Sequence, residues 1–455
     1  MAKIKYQGRE LEILYDVDCC VAGGGTAGVA AGIMAGRSGA KTLIVERGLS
    51  LGGSQTLGLV GPMMPSLAPD SDTPYIKEIK EKFRARGTEI DDGKTGTYWT
   101  NPDVLTEIYD ELTDAENIDV LYNATLMDAI VKNGEITHIV VMTVAGLAAI
   151  KAKIFIDGTG DALLARLSGV PAEAGYEKTG YNQPMSFRFE MGGVDINRLD
   201  KYLRDELKDP RAKTKPPYVE IGLARHREMK YAVEPLFIKG MESGELTEED
   251  AEYFQAFSIP GKDGFVLMNC PELPVKYRAT EPISYSAGVK AGRRMMRRIA
   301  AFAQKHLPGF ENAYISREAS MLGARESWRI VGKYRVTVED YYARQRFPDA
   351  VARTAWYIDA HGEKVGEYLK PGEFYEIPYR AMVMEEINNL IVAGRAISAD
   401  FFAQASLRIQ PTCMSMGEAA GIAAGCALKN KIAPAELKWQ DVPREIRSYI
   451  SAIEG

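Results

Sequence analysis

Residues 18–53 constrain this chain more than any other stretch. They read DCCVAGGGTAGVAAGIMAGRSGAKTLIVERGLSLGG. Cys19, Cys20, Val21 and Ala22 form a short apolar run with the pattern of a buried strand. It enters Gly23-Gly24-Gly25-Thr26-Ala27-Gly28, a G-x-G-x-x-G element with glycines at 23, 25 and 28. Small residues continue to Ala35, a second strand pattern runs from Lys41 to Val45, and Glu46 ends it. Strand, glycine loop, helix, strand and acid, in that order, describe a dinucleotide-binding unit. Gly23 permits a tight turn, Gly25 admits backbone N–H groups close to a pyrophosphate, and Gly28 lets helix and strand pack closely. The helix N-terminus offers partial positive charge to the phosphates. Glu46, 18 residues beyond Gly28, is placed to accept from a ribose 2′-hydroxyl. A glycine-rich surface turn would explain the loop but not its flanks. Which dinucleotide is bound is left open by this stretch.

A chain of 455 residues can bury a large core and is expected to make two or more domains. A net charge of −6 gives no electrostatic reason to expect nucleic acid or an anionic membrane surface. No apolar run reaches transmembrane length; the longest candidate, 139–150, is broken by Thr143 and Gly146. The polar, alternating start MAKIKYQGRELEIL reads as a short strand or hairpin and not as a signal peptide. Cysteines 19, 20, 270, 413 and 426 form no C-x-x-C pair, which argues against zinc, a dithiol centre or an iron–sulfur cluster. Buried thiols without an export signal fit the cytoplasm.

Further along, Gly52 and Gly53 with Ser54 and Thr56 follow directly on the ribose strand, as a flexible loop or as backbone running beside an extended ligand. A helix is expected near 75–86, and Asn101-Pro102 opens another with cap chemistry. Residues 127–150 alternate as strands about a turn at Asn133-Gly134. The strand 153–156 enters Asp157-Gly158-Thr159-Gly160-Asp161, a second turn at the carboxyl edge of a parallel sheet. From about 176 the β-α-β rhythm stops. A strand at 185–189, a Pro-rich segment at 209–218, a capping box at 247–250 and a helix at 284–306 suggest an inserted domain over 176–380, with loops 209–218 and 258–264 as candidate lids. Arg293, Arg294, Arg297 and Arg298 read as a solvated helix face, not a nucleic-acid patch. The first domain resumes at 388–395, ending in Gly394-Arg395. Pro411 then opens a helix rich in Gly and Ala, whose small residues imply close approach to a neighbour or a ligand.

Taken together, GGGTAGVAAG, VERG, LGG, FIDGTGDALLA, LGARESWRIVG, IDAHG, YEIPYR and NLIVAGR…ASLRIQPTCMSMGEAAGIAA resemble the FAD-dependent oxidoreductases of the glutathione-reductase-like superfamily. The resemblance, over residues 16–429, is to the bacterial family related to fumarate-reductase flavoproteins and heterodisulfide reductase flavin subunits. It implies an α/β fold: a Rossmann-like FAD-binding domain with a parallel sheet and a β-meander (1–175 and 381–455), and an inserted α+β substrate or cap domain (176–380). It further implies noncovalent FAD. Gly23, Gly25, Thr26, Ala27 and Gly28 would hold the pyrophosphate, and Glu46 with Arg47 the adenosine ribose side. Gly52, Gly53, Ser54 and Thr56 would line the ribityl and flavin, and Leu126 would present backbone to adenine. Gly160 and Asp161 would lie near the pyrophosphate and ribityl, and Gly394 and Arg395 would close over the ribityl-phosphate. Arg408, Thr412, Cys413 and Met414 would meet the flavin, the helix N-terminus at 412–414 aiming its dipole at O2, where reduced flavin carries negative charge. The chain departs from these relatives in having no iron–sulfur cysteines in a matching pattern, and the His/Arg active-site set of the fumarate reductases has no assigned positions in it.

Catalytic candidates come from the inserted region. His361, one of four histidines, suits a base near neutral pH, and Arg325 suits a substrate carboxylate or developing enolate charge. Glu326 stands beside Arg325 in the polar segment Arg325-Glu326-Ser327. Structural roles compete for each: Arg–Glu pairs bridge domains, and an Asp two residues before a His fixes loops. His138 reads as structural, His226 and His306 as exposed. The expected activity is oxidation or reduction of a small organic substrate by hydride transfer at flavin N5, with a possible electron-transfer partner, a possible homo-oligomer, no nucleic acid and no membrane. An NAD(P)-dependent dehydrogenase and a flavin-containing scaffold for a protein or RNA are the alternatives.

Overall fold

The computed structural model describes residues 2–91, 98–209, 219–224, 231–360 and 366–453. Strand β1 (Arg9–Ala22) begins as the partner of an N-terminal strand, Lys3 opposite Glu12, and ends fully buried at Cys19, Cys20, Val21 and Ala22. The glycine loop leads to α1 (Thr26–Arg37), then β2 (Thr42–Val45), α2 (Pro74–Ala85), α3 (Pro102–Ala115) and β3 (Asp119–Leu121). The caps expected of α3 are present: Asn101 accepts from Asp103 N, with Pro102 at the first helical position. A meander follows, β4 (Thr125–Lys132), β5 (Glu135–Thr143) and β6 (Gly146–Asp157), before the chain leaves this layer. It then builds β7 (Phe189–Gly192), β8 (Glu220–Ala224), β9 (Tyr253–Ile259), β10 (Lys262–Met268), α4 (Pro282–His306) and β11 (Tyr314–Glu318). It returns as β12 (Leu390–Val392) and α5 (Gln410–Asn430).

Strands β3, β2, β1 and β6 lie parallel in that order. The far edge of β6 is shared: its first half pairs antiparallel with β5, and residues 155–157 pair parallel with β12. Three strands therefore end at one sheet edge, β1 into the glycine loop, β6 into the 158–161 turn and β12 into Gly394-Arg395. That edge is where open α/β sheets place ligands. β2 is buried along its whole length, as a central parallel strand covered on both faces must be.

The Gly/Ala helix α5 lies against α1 and not against open space. A Cβ on Gly417 would fall 2.1 Å from the Ala27 carbonyl oxygen, one on Gly421 2.3 Å from Ala31 O, and one on Gly425 2.2 Å from Ser38 Cβ. These glycines recur every four residues, so they share one face and bring two backbones together. Close helix packing accounts for that stripe.

The second layer is an antiparallel sheet, β8-β9-β10-β7-β11, covered by α4 through Met295, Met296, Ile299 and Phe302. Its core ends at Leu322. Val336, Tyr341, Val351, Tyr375, Ile377 and Tyr379 pack instead into the core of the first layer. The stretch expected as one insertion, 176–380, is thus divided between two cores.

Other differences are local. The strand expected at 185–189 is formed at Phe189–Gly192. Thr247 and Asp250 exchange the hydrogen bonds of a capping box, yet they close a turn that enters β9, because the β-rich Tyr253-Phe254-Gln255-Ala256-Phe257 follows. Asp250 is buried, and its carboxylate takes both Nε and Nη2 of Arg298, so one arginine of the basic face is committed inward. Residues 258–264 form the tight β9–β10 hairpin; 210–218 of the other candidate lid lie outside the described residues. No helix among the described residues is long and apolar enough to cross a membrane.

Candidate active site

The sheet edge is built from backbone. Gly28 sits where a Cβ would lie 1.8 Å from the Gly23 carbonyl oxygen, so only glycine closes the loop onto α1. Gly25 caps α1 without a side chain, and a Cβ there would meet nothing nearer than the Gly158 carbonyl oxygen at 3.7 Å. Gly52 bridges Gly25, and Gly52 N bonds to Gly24 O at 2.8 Å, which brings the 52–53 segment alongside the loop. Thr26 Oγ1 donates to Gly52 O at 3.3 Å. Ala27 faces the turn after β12: a Cβ on Gly394 would lie 2.9 Å from the Ala27 methyl.

Glu46 is buried and accepts from Gly24 N at 2.8 Å and from Gly48 N at 2.6 Å. Its first task is to hold the glycine loop against the β2 turn. Arg47 is exposed, with its charge reaching Tyr285 at the start of α4. Leu126 lies two residues beyond Ala124, whose N–H bonds Glu46 O at 3.1 Å, so this backbone borders the same end of the cleft. Thr56 is spent on its own loop through Leu51 O at 2.6 Å, while Ser54 is half-buried beside it.

At the other turns, Asp161 Oδ1 accepts from Arg395 Nη2 at 2.7 Å and from Ser327 Oγ at 2.6 Å, and the Arg395 guanidinium covers Gly160. Asp157 is wholly buried; its carboxylate receives Thr159 N, Thr159 Oγ1 and Ala165 N, and burial nonetheless raises its pKa. α5 starts without a side-chain cap, and Thr412 Oγ1 within its first turn is buried with no hydrogen-bond partner. Arg395 Nη1 is also buried without one. Cys413 bonds Arg408 O, and burial pushes its thiol up to about 12, so it is no thiolate. Met414 is wholly buried. An uncapped helix head over an open glycine, a second uncapped helix start and orphaned donors between them fit a diphosphate and a heteroaromatic ring edge, which are the polar parts of FAD.

Beyond Arg408 lies a cluster of charged side chains. Arg408 Nη2 contacts Asp359 Oδ2 at 3.0 Å, and Arg325 Nη2 contacts Glu272 Oε2 at 2.9 Å. Arg188 joins them: burial and then the charge of Arg325 lower its pKa to about 10. Its Nε donates to Asn269 Oδ1 at 2.6 Å, and Asn269 Nδ2 donates to Gln255 Oε1 at 2.7 Å. Tyr253 OH donates to the same Gln255 oxygen at 2.8 Å, and burial keeps the phenol protonated. Gln404 ties this cluster to the sheet edge, since its Nε2 donates to Arg325 O at 3.0 Å and to Arg395 O at 3.4 Å.

Of the expected catalytic groups, Arg325 lies in this cluster and His361 lies outside the described residues. Glu326 does not reach it, which corrects the expectation. It is wholly buried and accepts from Gly175 N, from Asn182 Nδ2 and from the buried Arg329 guanidinium, so its oxygens are committed to internal structure. Neighbours in sequence here point to opposite sides. Sequence reading passed over Arg188, Tyr253, Glu272 and Gln404. For Arg188 no distinct signal was available, since it shares the polar positions of an alternating strand with Ser186 and Glu190.

Comparison with known proteins bears on the cleft. The sequence profile of the FAD dependent oxidoreductases matches residues 18–447. A thiamine thiazole synthase of Methanococcus aeolicus is 30% identical over 155 residues, 32% of this chain and 55% of that enzyme, so the chain spans about half the length of that relative. Among solved structures, a p-nitrophenol 4-monooxygenase of Pseudomonas putida superposes with a TM-score of 0.50 at 11% identity, over 95% of this chain and 85% of that one, and speaks for a shared fold. A geranylgeranyl bacteriochlorophyll reductase-like protein of Thermoplasma acidophilum follows with a TM-score of 0.47 and 12% identity over 95% and 81% of the two chains. With the profile covering the glycine loop, both later turns and α5, the chain belongs to the FAD-dependent oxidoreductase family, as an enzyme with FAD as its cofactor.

Proposed function

We propose that the enzyme oxidises or reduces a small organic substrate held in the Arg188–Arg325–Arg408 pocket, with FAD bound noncovalently at the adjoining sheet edge. The observation that carries this reading is Gln404, which hydrogen-bonds the Arg325 backbone of the pocket and the Arg395 backbone of the cofactor turn with a single amide. FAD, when bound, supplies hydride acceptance or donation at N5. The loop from Gly23 to Gly28 holds the diphosphate, Glu46 the ribose side, and Arg395 with Thr412 the distal polar edge. Arg325 orients substrate from a position set by Glu272, and Arg408 from one set by Asp359. Tyr253, kept neutral by burial, spends its O–H on Gln255 and so helps to fix Asn269 without adding a charge. For the departing substrate proton the sequence offers His361, which lies outside the described residues. A second substrate or a partner protein exchanges the electrons and closes the cycle.

The test is anaerobic. Purified protein carrying one FAD per chain is mixed with small acids, alcohols, amines and sugars, and flavin absorbance is followed. Bleaching by a substrate of one class is the expected result. Protein that holds FAD and is bleached by dithionite, yet exchanges electrons with no small molecule in either direction, would overturn the reading.

A further inference from the structure

Among the described residues, three guanidinium groups come together beside the cofactor cleft, and two carboxylates pair with them. Arg325 pairs with Glu272 and Arg408 with Asp359. Arg188 has no carboxylate partner among the described residues; the one hydrogen bond its guanidinium makes to them runs from Nε to the neutral Asn269 amide. A half-buried guanidinium beside two others is costly unless an anion balances it. Asn269 matters here for a second reason. Held by Gln255 and Tyr253, it fixes the plane of the Arg188 fork through Nε and leaves the two terminal nitrogens for a ligand. A fork presented in that way matches a planar carboxylate through two parallel hydrogen bonds.

Resting on the oxidoreductase reading above, we propose that Arg188 is a specificity-determining residue that binds a carboxylate of the substrate, so that the enzyme acts on a small organic acid. Among the described residues one guanidinium charge is thus left without a carboxylate, which fits a single carboxylate near Tyr253 and Tyr357, whose phenols stand close to each other and to Arg408, and does not match a phosphate dianion. Arg325 and Arg408, each already paired, set the orientation of that carboxylate and contribute less of the charge balance.

The experiment uses the FAD-loaded enzyme and two readouts. Acetate, pyruvate, succinate and benzoate, their amides, and inorganic phosphate are titrated while the flavin difference spectrum and the heat of binding are recorded. The same compounds, with uncharged alcohols and amines, are tested for anaerobic bleaching. One or more carboxylates should bind while the matching amide does not. Arg188→Gln should weaken that binding tenfold or more with FAD content and melting temperature retained, and Arg188→Lys, which keeps the charge, should restore part of it. Carboxylate binding unchanged by R188Q, preferential binding of phosphate, or equal losses in R188Q and R188K would overturn the assignment. If uncharged compounds alone bleach the flavin, the oxidoreductase reading stands and the organic-acid proposal falls. If no compound of any class does so, both fall.

Discussion

Arg395 Nη2 donates to Asp161 Oδ1 at 2.7 Å, joining two turns that are 234 residues apart in the chain. The pair stands at the common edge where β6 and β12 end side by side, and Ser327 adds a second hydrogen bond to the same carboxylate oxygen. Arg395 is mostly covered while Asp161 is part-exposed, so the contact orients the guanidinium more than it stabilises the fold.

Removing that guanidinium should therefore show in cofactor retention. Arg395→Met is expected to lower FAD affinity roughly tenfold, the scale of one charge-assisted hydrogen bond, with a change in apoprotein stability below about 1 kcal/mol. Fluorescence titration of apoprotein with FAD, beside urea denaturation, separates the two effects. Unaltered FAD affinity would place Arg395 outside the cofactor site.

Helix α5 makes a different demand. A methyl at Gly417 would lie 2.1 Å from the Ala27 carbonyl oxygen, and backbone cannot swing aside as a side chain can. Gly417→Ala is expected to destabilise the protein by about 2–3 kcal/mol. Because Ala27 is in the first turn of α1, FAD affinity should drop with it. Chemical denaturation and FAD titration of this one variant check both.

Glu418 links α5 to pH. It is 2% exposed, and burial raises its pKa from the ordinary 4.5 to about 7. The folded protein therefore retains a proton that the unfolded chain releases near pH 4.5. Stability from this group is full below pH 4.5 and is lost as pH rises through about 7, at a cost of about 3 kcal/mol. Glu418→Gln should remove the dependence, so that it differs little from the parent at pH 4.5 and is the more stable of the two at pH 8. Denaturation curves at the two pH values decide the sign, and a variant equally shifted at both would refute it.

For Glu326 the expectation is structural. Glu326→Gln leaves the Arg329 guanidinium buried without its counter-charge, a loss of about 3–5 kcal/mol. Turnover per mole of folded, FAD-loaded enzyme should stay within a few-fold of the parent. A stable variant with abolished turnover would return Glu326 to the catalytic groups.

How much of this was legible beforehand depends on how far apart the cooperating atoms lie in the chain. Gly23, Gly25, Gly28 and Glu46 could be read because loop, helix and strand are consecutive, and the restrictions on each glycine arise from backbone a few residues away. The meander about Asn133-Gly134 and the caps of α3 were legible for the same reason. The capping box at Thr247 misled, since its local hydrogen bonds form but β pairing of the next seven residues outweighs helix propagation.

By itself, then, the sequence determined a dinucleotide cleft and, through the matching blocks near both ends of the chain, which cofactor it serves. Only the tertiary structure decided that Arg325 and Glu326, adjacent in the chain, serve a pocket and a core respectively. It alone brought Arg188, Arg325 and Arg408 together from three distant segments. No spacing rule predicts such a meeting, because charges in a folded chain act through space, and the distances that set their energies exist only after the two layers have packed.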